Sequence, residues 1–181
     1  CRLQNAVQEN TRAFFVESLG NPKLDVLDLK AISNEAKVAK VPFIVDNTVA
    51  TSYLVKPIEH GADIVIHSLT KYISGNGTSL GGAIIDAGNF DWSNGKFPEF
   101  TEPSAGYHGL VYHQALGRAA FIAKVRIEGL RDFGAALSPF NGFQIIQGLE
   151  TLPIRIQKHS ENALKLAEWL ETQEEVAWVN Y

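Results

Sequence analysis

Two stretches decide how this chain folds: Val41-Pro42-Phe43-Ile44-Val45-Asp46-Asn47-Thr48 and Ile64-Val65-Ile66-His67-Ser68-Leu69-Thr70-Lys71. Each begins as a short apolar run and ends on side chains that carry charge or hydroxyl groups. Runs of this length without polar alternation read as strands buried on both faces, as in a parallel sheet covered by helices. Ala13-Phe14-Phe15-Val16, closing on Glu17 and followed by the turn signal Gly20-Asn21-Pro22, reads as a further strand, and Gly82-Ala83-Ile84-Ile85 as a fourth. Between the first two, Asp28 can cap a helix whose buried face is Leu29, Ile32, Ala36 and Ala39. Strands alternating with helical patterns imply an α/β layer fold with a mostly parallel sheet and flanking helices.

Residues 89–112 interrupt the alternation with Gly, Pro, Asn and aromatic residues and read as a long ordered loop, a kind that is more often functional than not. Beyond it, helical patterns run from about Gln114 to Phe133, Pro139 to Leu149 and Pro153 to Glu171. The last stretch, Val176 to Tyr181, reads as a strand opening a second layer. The 181 residues contain no methionine, and both ends read as cuts in a longer protein.

Composition narrows the partners. The chain is 45% apolar and 20% charged with a formal net charge of −4, as expected for a globular protein with a sizeable core. Mild acidity without a basic cluster argues against nucleic acid or an anionic membrane as partner. No run approaches the roughly 20 apolar residues of a membrane span. Cys1 is the single cysteine, so an intrachain disulfide or cysteine metal cluster is ruled out, which fits a reducing, cytoplasmic compartment. His60, His108, His113 and His159 show no metal-ligand spacing. Trp92, Trp169 and Trp178 read as core or loop anchors.

In open α/β sheets, ligands bind beyond the carboxyl ends of the strands. Three strands deliver polar groups there: Glu17 with Asn21, Asp46 with Thr48, and Ser68 with Thr70 and Lys71. Taken by position, Asp46 could equally cap the next helix or pair with an arginine. The Ser68-Thr70-Lys71 group supplies two hydroxyl donors and an amine able to act as a charge or a nucleophile, or simply a solvated strand end. Gly75, Gly77, Gly81 and Gly82 suggest close backbone approach, but they match no phosphate-loop fingerprint.

The order of these parts, Val45-Asp46-Asn47-Thr48, then His67-Ser68-Leu69-Thr70-Lys71-Tyr72, then Gly81-Gly82, resembles the core of the Cys/Met-metabolism pyridoxal-phosphate enzymes. Glu17-Ser18 with Asn21-Pro22, Ser138-Pro139-Phe140-Asn141 and Gly148-Leu149-Glu150-Thr151-Leu152 extend the resemblance through essentially the whole chain. It implies a fold-type-I (aspartate-aminotransferase-like) α/β protein. Residues 1–135 would be the C-terminal part of the large cofactor-binding domain, and residues 136–181 the linker helices and the start of a C-terminal α+β domain. It also implies roles for pyridoxal 5'-phosphate as cofactor: Lys71 would hold the aldehyde and later shuttle protons between substrate carbons. Asp46 would pair with the pyridine nitrogen, Ser68 and Thr70 would hold the phosphate, and Asn21 would donate to the ring's phenolic oxygen. Thr48 would lie against one ring face.

Asp91-Trp92 through Tyr107-His108-Gly109 resembles the O-acetylhomoserine sulfhydrylase branch, which implies O-acetylhomoserine and sulfide as substrates. A cystathionine γ-synthase, a lyase of the same family, or a non-catalytic paralogue are the alternatives. The resemblance further implies a homo-oligomer, a tetramer built from dimers that share active sites. Ser52 stands where the family commonly has proline. Arg155, in the helical link, reads as a structural ion pair, and His67 as packing behind the cofactor.

Overall fold

The computed structural model describes residues 2–181; Cys1 lies outside them. Four strands, β1 (Phe14–Glu17), β2 (Phe43–Asp46), β3 (Ile64–Ser68) and β4 (Gly82–Asp86), form one sheet in the order β1-β2-β3-β4. The first three are parallel, with Glu17 beside Asp46 and Asp46 beside Ile66. β4 runs antiparallel to β3, pairing Gly82 with Ser68 and Asp86 with Ile64. Parallel neighbours need a crossover. The first is α1 (Leu29–Ala39), whose N-terminus is capped as expected, with the Asp28 carboxylate accepting the Ala31 N–H at 2.9 Å. The second is α2 (Thr51–Leu54) followed by a 3₁₀ turn at Pro57–His60.

Strand pleating sorts the side chains. Phe43, Val45 and Val65 face α1 and close a core with Leu29, Ile32, Ala36 and Val41. Ile44, Ile64 and Ile66 face the other way, onto Trp92, Phe97, Phe100, Tyr112 and Ala120. With a side-chain period of two, Asp46 continues the face of Ile44, and Ser68 that of Ile66. Burial on both faces holds for β2 and β3. The expectation fails at the two outer strands, where Phe15 of β1 and Ile84 and Ile85 of β4 are exposed; among the described residues each has a strand neighbour on one side.

The long loop is a packing element. It includes α3 (Pro98–Thr101), and its Trp92 stacks on Phe121 at 5.0 Å and meets Phe100 at 4.4 Å. The segment that follows is broken rather than one helix: α4 (Tyr112–Leu116), α5 (Ala120–Lys124), a π-helical stretch Val125–Leu130, and α6 (Arg131–Phe133). The break falls at Gly117, whose φ of 52° takes the chain out of the helical region. α7 (Pro139–Glu150) and α8 (Leu152–Glu171) match their expected spans; Ser138 caps α7 by accepting the Asn141 N–H at 3.1 Å.

Val176 to Tyr181 form no strand. Among the described residues the apolar pattern there has no ladder to join. Instead, Asn180 donates to the Lys23 carbonyl and the Tyr181 hydroxyl to the Ser160 carbonyl at 3.1 Å. Of the three tryptophans only Trp92 is core, whereas Trp169 and Trp178 are exposed. No helix among the described residues is long and apolar enough to cross a membrane.

Candidate active site

The carboxyl ends of β1, β2 and β3 open onto a cavity of about 700 Å³, lined by Glu17, Leu19, Asn21, Asp46, Thr48, Val49, Ser68, Thr70, Lys71, Tyr72, Gly75, Gly77, Arg155 and His159. All six residues singled out from the sequence, Asn21, Asp46, Thr48, Ser68, Thr70 and Lys71, therefore share one wall system. Residues 89–133 contribute nothing to it.

A knot of hydrogen bonds holds the strand ends in place. Thr48 bridges two of them: its N–H donates to Asp46 Oδ1 at 2.9 Å, and its hydroxyl oxygen accepts the Ser68 N–H at 2.8 Å. The residue expected to touch a ring thus also ties two strand ends together, its own N–H holding the Asp46 carboxylate and its hydroxyl oxygen holding the main chain of Ser68. Beneath them lies Asn47, fully buried. Its amide donates to the carbonyls of Thr51 (2.9 Å) and Val55 (2.8 Å), and its Oδ1 accepts the Ser18 hydroxyl at 2.7 Å. Thr51 sits at a φ of 59°, a left-handed conformation that costs a β-branched residue about 1–3 kcal/mol. Asn47 grips the carbonyl of that same residue, so buried hydrogen bonds offset the strain. Sequence reasoning quoted Asn47 without giving it work to do.

The donor set has distinct members. The Ser68 hydroxyl has no hydrogen-bond partner among the described residues, which leaves it free to donate. Thr70 is engaged: its Oγ1 accepts the Gly81 N–H at 3.0 Å and donates to the Gly81 carbonyl at 3.3 Å. The second bond is long, and the proton can be redirected to an anion while the first bond stays. Asn21 is exposed, tied through its N–H to Glu17 Oε2 at 2.9 Å, with its amide side chain unengaged among the described residues. Lys71 follows β3 in a π-helical turn, Leu69–Ile73, and its exposed amine has no carboxylate within 4 Å among the described residues.

Behind the sheet, His67 is buried on the face opposite Ser68, its Nδ1 without a partner. Burial pushes the imidazole below its ordinary value of 6.5, and the Asp46 carboxylate opposes that shift. A neutral ring is the form that fits there.

Arg155 departs from its expected role. No carboxylate lies within 4 Å of it among the described residues; it donates instead to the carbonyls of Tyr72 (2.8 Å), Ile73 (3.3 Å) and Gly148 (2.7 Å) and to Thr151 Oγ1 (3.0 Å). His159 meets the Tyr72 ring edge-on at 5.4 Å. Neither was legible as a cavity residue, because α8 reaches the site only through the fold.

The family model for Cys/Met metabolism PLP-dependent enzymes matches residues 1–181. The chain belongs to that family. Over 186 aligned residues it is 54% identical to an O-acetyl-L-homoserine sulfhydrylase of Leptospira meyeri, covering 98% of this chain and 42% of that protein. To O-acetyl-L-homoserine sulfhydrylase 1 of Thermus thermophilus it is 51% identical, covering 96% and 41%. The fold matches a solved O-acetylhomoserine (thiol)-lyase structure from Campylobacter jejuni that carries N'-pyridoxyl-lysine-5'-monophosphate. The TM-score is 0.94 at 43% identity, with 99% of this chain and 44% of that chain covered. The chain thus spans about 42% of the length of the curated relatives it matches. The α/β fold expected for this family is the fold observed.

Proposed function

We propose that the enzyme containing this chain is a pyridoxal-phosphate-dependent γ-replacement transferase, converting O-acetylhomoserine and sulfide into homocysteine and acetate. The observation that carries the reading is the convergence of the Lys71 amine, the Asp46 carboxylate, the Ser68 and Thr70 hydroxyls and the Asn21 amide on a single cavity at the carboxyl edge of the sheet. The family match and the sulfhydrylase relatives supply the rest.

The donors present fit the cofactor. The free Ser68 hydroxyl and the redirectable Thr70 hydroxyl suit a phosphate, Asp46 a protonated ring nitrogen, and Asn21 a phenolic oxygen. Lys71 would hold the aldehyde covalently. When bound, the cofactor supplies an electron sink for charge developing at the substrate's α-carbon. The remaining chemistry belongs to the chain. Asp46, fixed by the Thr48 N–H, keeps the ring-nitrogen proton in place. The Lys71 amine would serve as the general base and acid that moves protons at the substrate carbons. Acetate leaves from the γ-carbon and sulfide adds there, so the net exchange is one carboxylate for one thiol.

Assembly follows as part of the same reading: a cytoplasmic homo-oligomer, a tetramer of dimers sharing active sites. Phe140, Phe143, Ile146 and Ile154, all exposed on α7 and α8, support it as apolar surface in need of cover. Residues 1–135 would belong to the large cofactor domain, and 136–181 to the link into the next.

Borohydride reduction of the purified holoprotein, followed by peptide mapping, is expected to leave a pyridoxyl group on Lys71. Incubation with O-acetylhomoserine and sulfide should release acetate and homocysteine in equal amounts. Trapping on another residue sinks the site, and acetate release without thiol product sinks the reaction.

A further inference from the structure

We propose that Arg155 is a positioning residue that locks the main chain of the Lys71 turn onto α8 and thereby sets where the Lys71 amine stands. The proposal rests on the function just given and concerns a residue that function does not use.

The turn after β3 is short. Within it Ser74 N–H donates to the Leu69 carbonyl at 3.0 Å and Gly75 N–H to the Lys71 carbonyl at 2.8 Å. The carbonyls of Tyr72 and Ile73 lie at its end, where a helical turn leaves acceptors without internal partners. Arg155 satisfies both from outside, at 2.8 and 3.3 Å, and also spans to Gly148 and Thr151. Only a planar fork of several N–H donors can meet four acceptors at once; a lysine ammonium cannot reproduce that geometry. Partial negative charge on terminal carbonyls suits a guanidinium.

Two glycines make the contact possible. A Cβ on Gly75, at φ +70°, would stand 2.5 Å from the Arg155 Nη1, and one on Gly148 would stand 1.8 Å from the Ser74 carbonyl oxygen. The apolar cluster of Ile73, Ile145, Leu152 and Ile156 seats the same turn against α7 and α8. The turn bearing the reactive amine is thus held by helices some eighty residues further along the chain, with Arg155 as the polar part of the clamp.

The test has two arms. In cofactor-free protein, Arg155→Gln should speed amide exchange across residues 69–75 by about tenfold or more, with α1 and β2 unchanged, because the clamp is a local closing interaction. In holoprotein, the same variant should lower kcat by up to about a hundredfold, as expected for a misplacement on the order of 1 Å. KM for the amino-acid substrate should stay within about twofold, and circular dichroism in the cofactor band should weaken. Arg155→Lys is expected to follow Arg155→Gln, and full recovery by lysine would overturn the fork geometry. Gly75→Ala pushes on the guanidinium from the turn side with every residue of α8 unsubstituted and should give the same signature, which keeps the test usable if Arg155→Gln does not fold. Unchanged exchange, or a raised KM with kcat intact, overturns the proposal. A wild type that carries no cofactor on Lys71 overturns the functional reading instead, while the exchange arm still reports on the clamp.

Discussion

The two ends of the sheet use their residues in opposite ways. At the carboxyl edge of β1–β3, hydroxyls, a carboxylate and an amine crowd around an open cavity, and hydrogen bonds fix the strand ends that carry the carboxylate and Ser68. At the other edge, Ala87 N–H donates to the Asp63 carbonyl, Lys96 Nζ to the Ala39 carbonyl, and the loop that follows closes into stacked aromatics. From sequence, the loop at residues 89–112 read as a kind that is more often functional than not. The structure makes it a support. The antiparallel run of β4 decides this: it carries the chain away from the site before the loop begins. A long loop is functional or structural according to which sheet edge it leaves from.

That contrast can be broken from either side. The largest effect belongs to Lys71→Ala: loss of the proton-transferring amine should cost on the order of 10⁴-fold in kcat, with thermal unfolding unchanged. Next, Trp92→Ala should destabilise the protein by about 3–5 kcal/mol in denaturant titrations, through the cavity it leaves. Whatever protein stays folded should still bind cofactor. If Trp92→Ala instead abolished cofactor binding at full stability, the division between the two edges would be wrong.

Asn47→Ala sharpens the comparison within the site. It removes a buried amide that serves three partners, so a loss of about 1–3 kcal/mol is expected, with Asp46 and Ser68 less well held. A smaller effect concerns His67, whose folded-state value is depressed by burial. Protonation therefore favours the unfolded chain: its contribution is fully present above about 6.5, the unfolded value, and is lost as pH falls through the lower folded value. Urea midpoints measured between about pH 5 and pH 8 should fall on the acid side, and His67→Gln should flatten that slope.

The strands, α1 with its Asp28 cap and the span of α7 were legible because their causes are local: apolar runs, a capping side chain and turn residues lie next to one another in the chain. So were the six cavity residues, since each sits within a few residues of a strand end. Less was legible wherever a partner from elsewhere decides. Val176–Tyr181 has a strand's composition and, among the described residues, no neighbour to pair with. The segment 114–133 has a helix's periodicity and breaks at Gly117.

The sequence by itself determined which groups stand at the carboxyl edge, because side-chain period and strand direction follow from neighbouring residues. Tertiary structure alone decided what holds them: the Thr48 strut, the Asn47 knot and the Arg155 clamp each join positions distant in sequence. A hydrogen bond depends on where both partners arrive, and arrival is a property of the packed molecule.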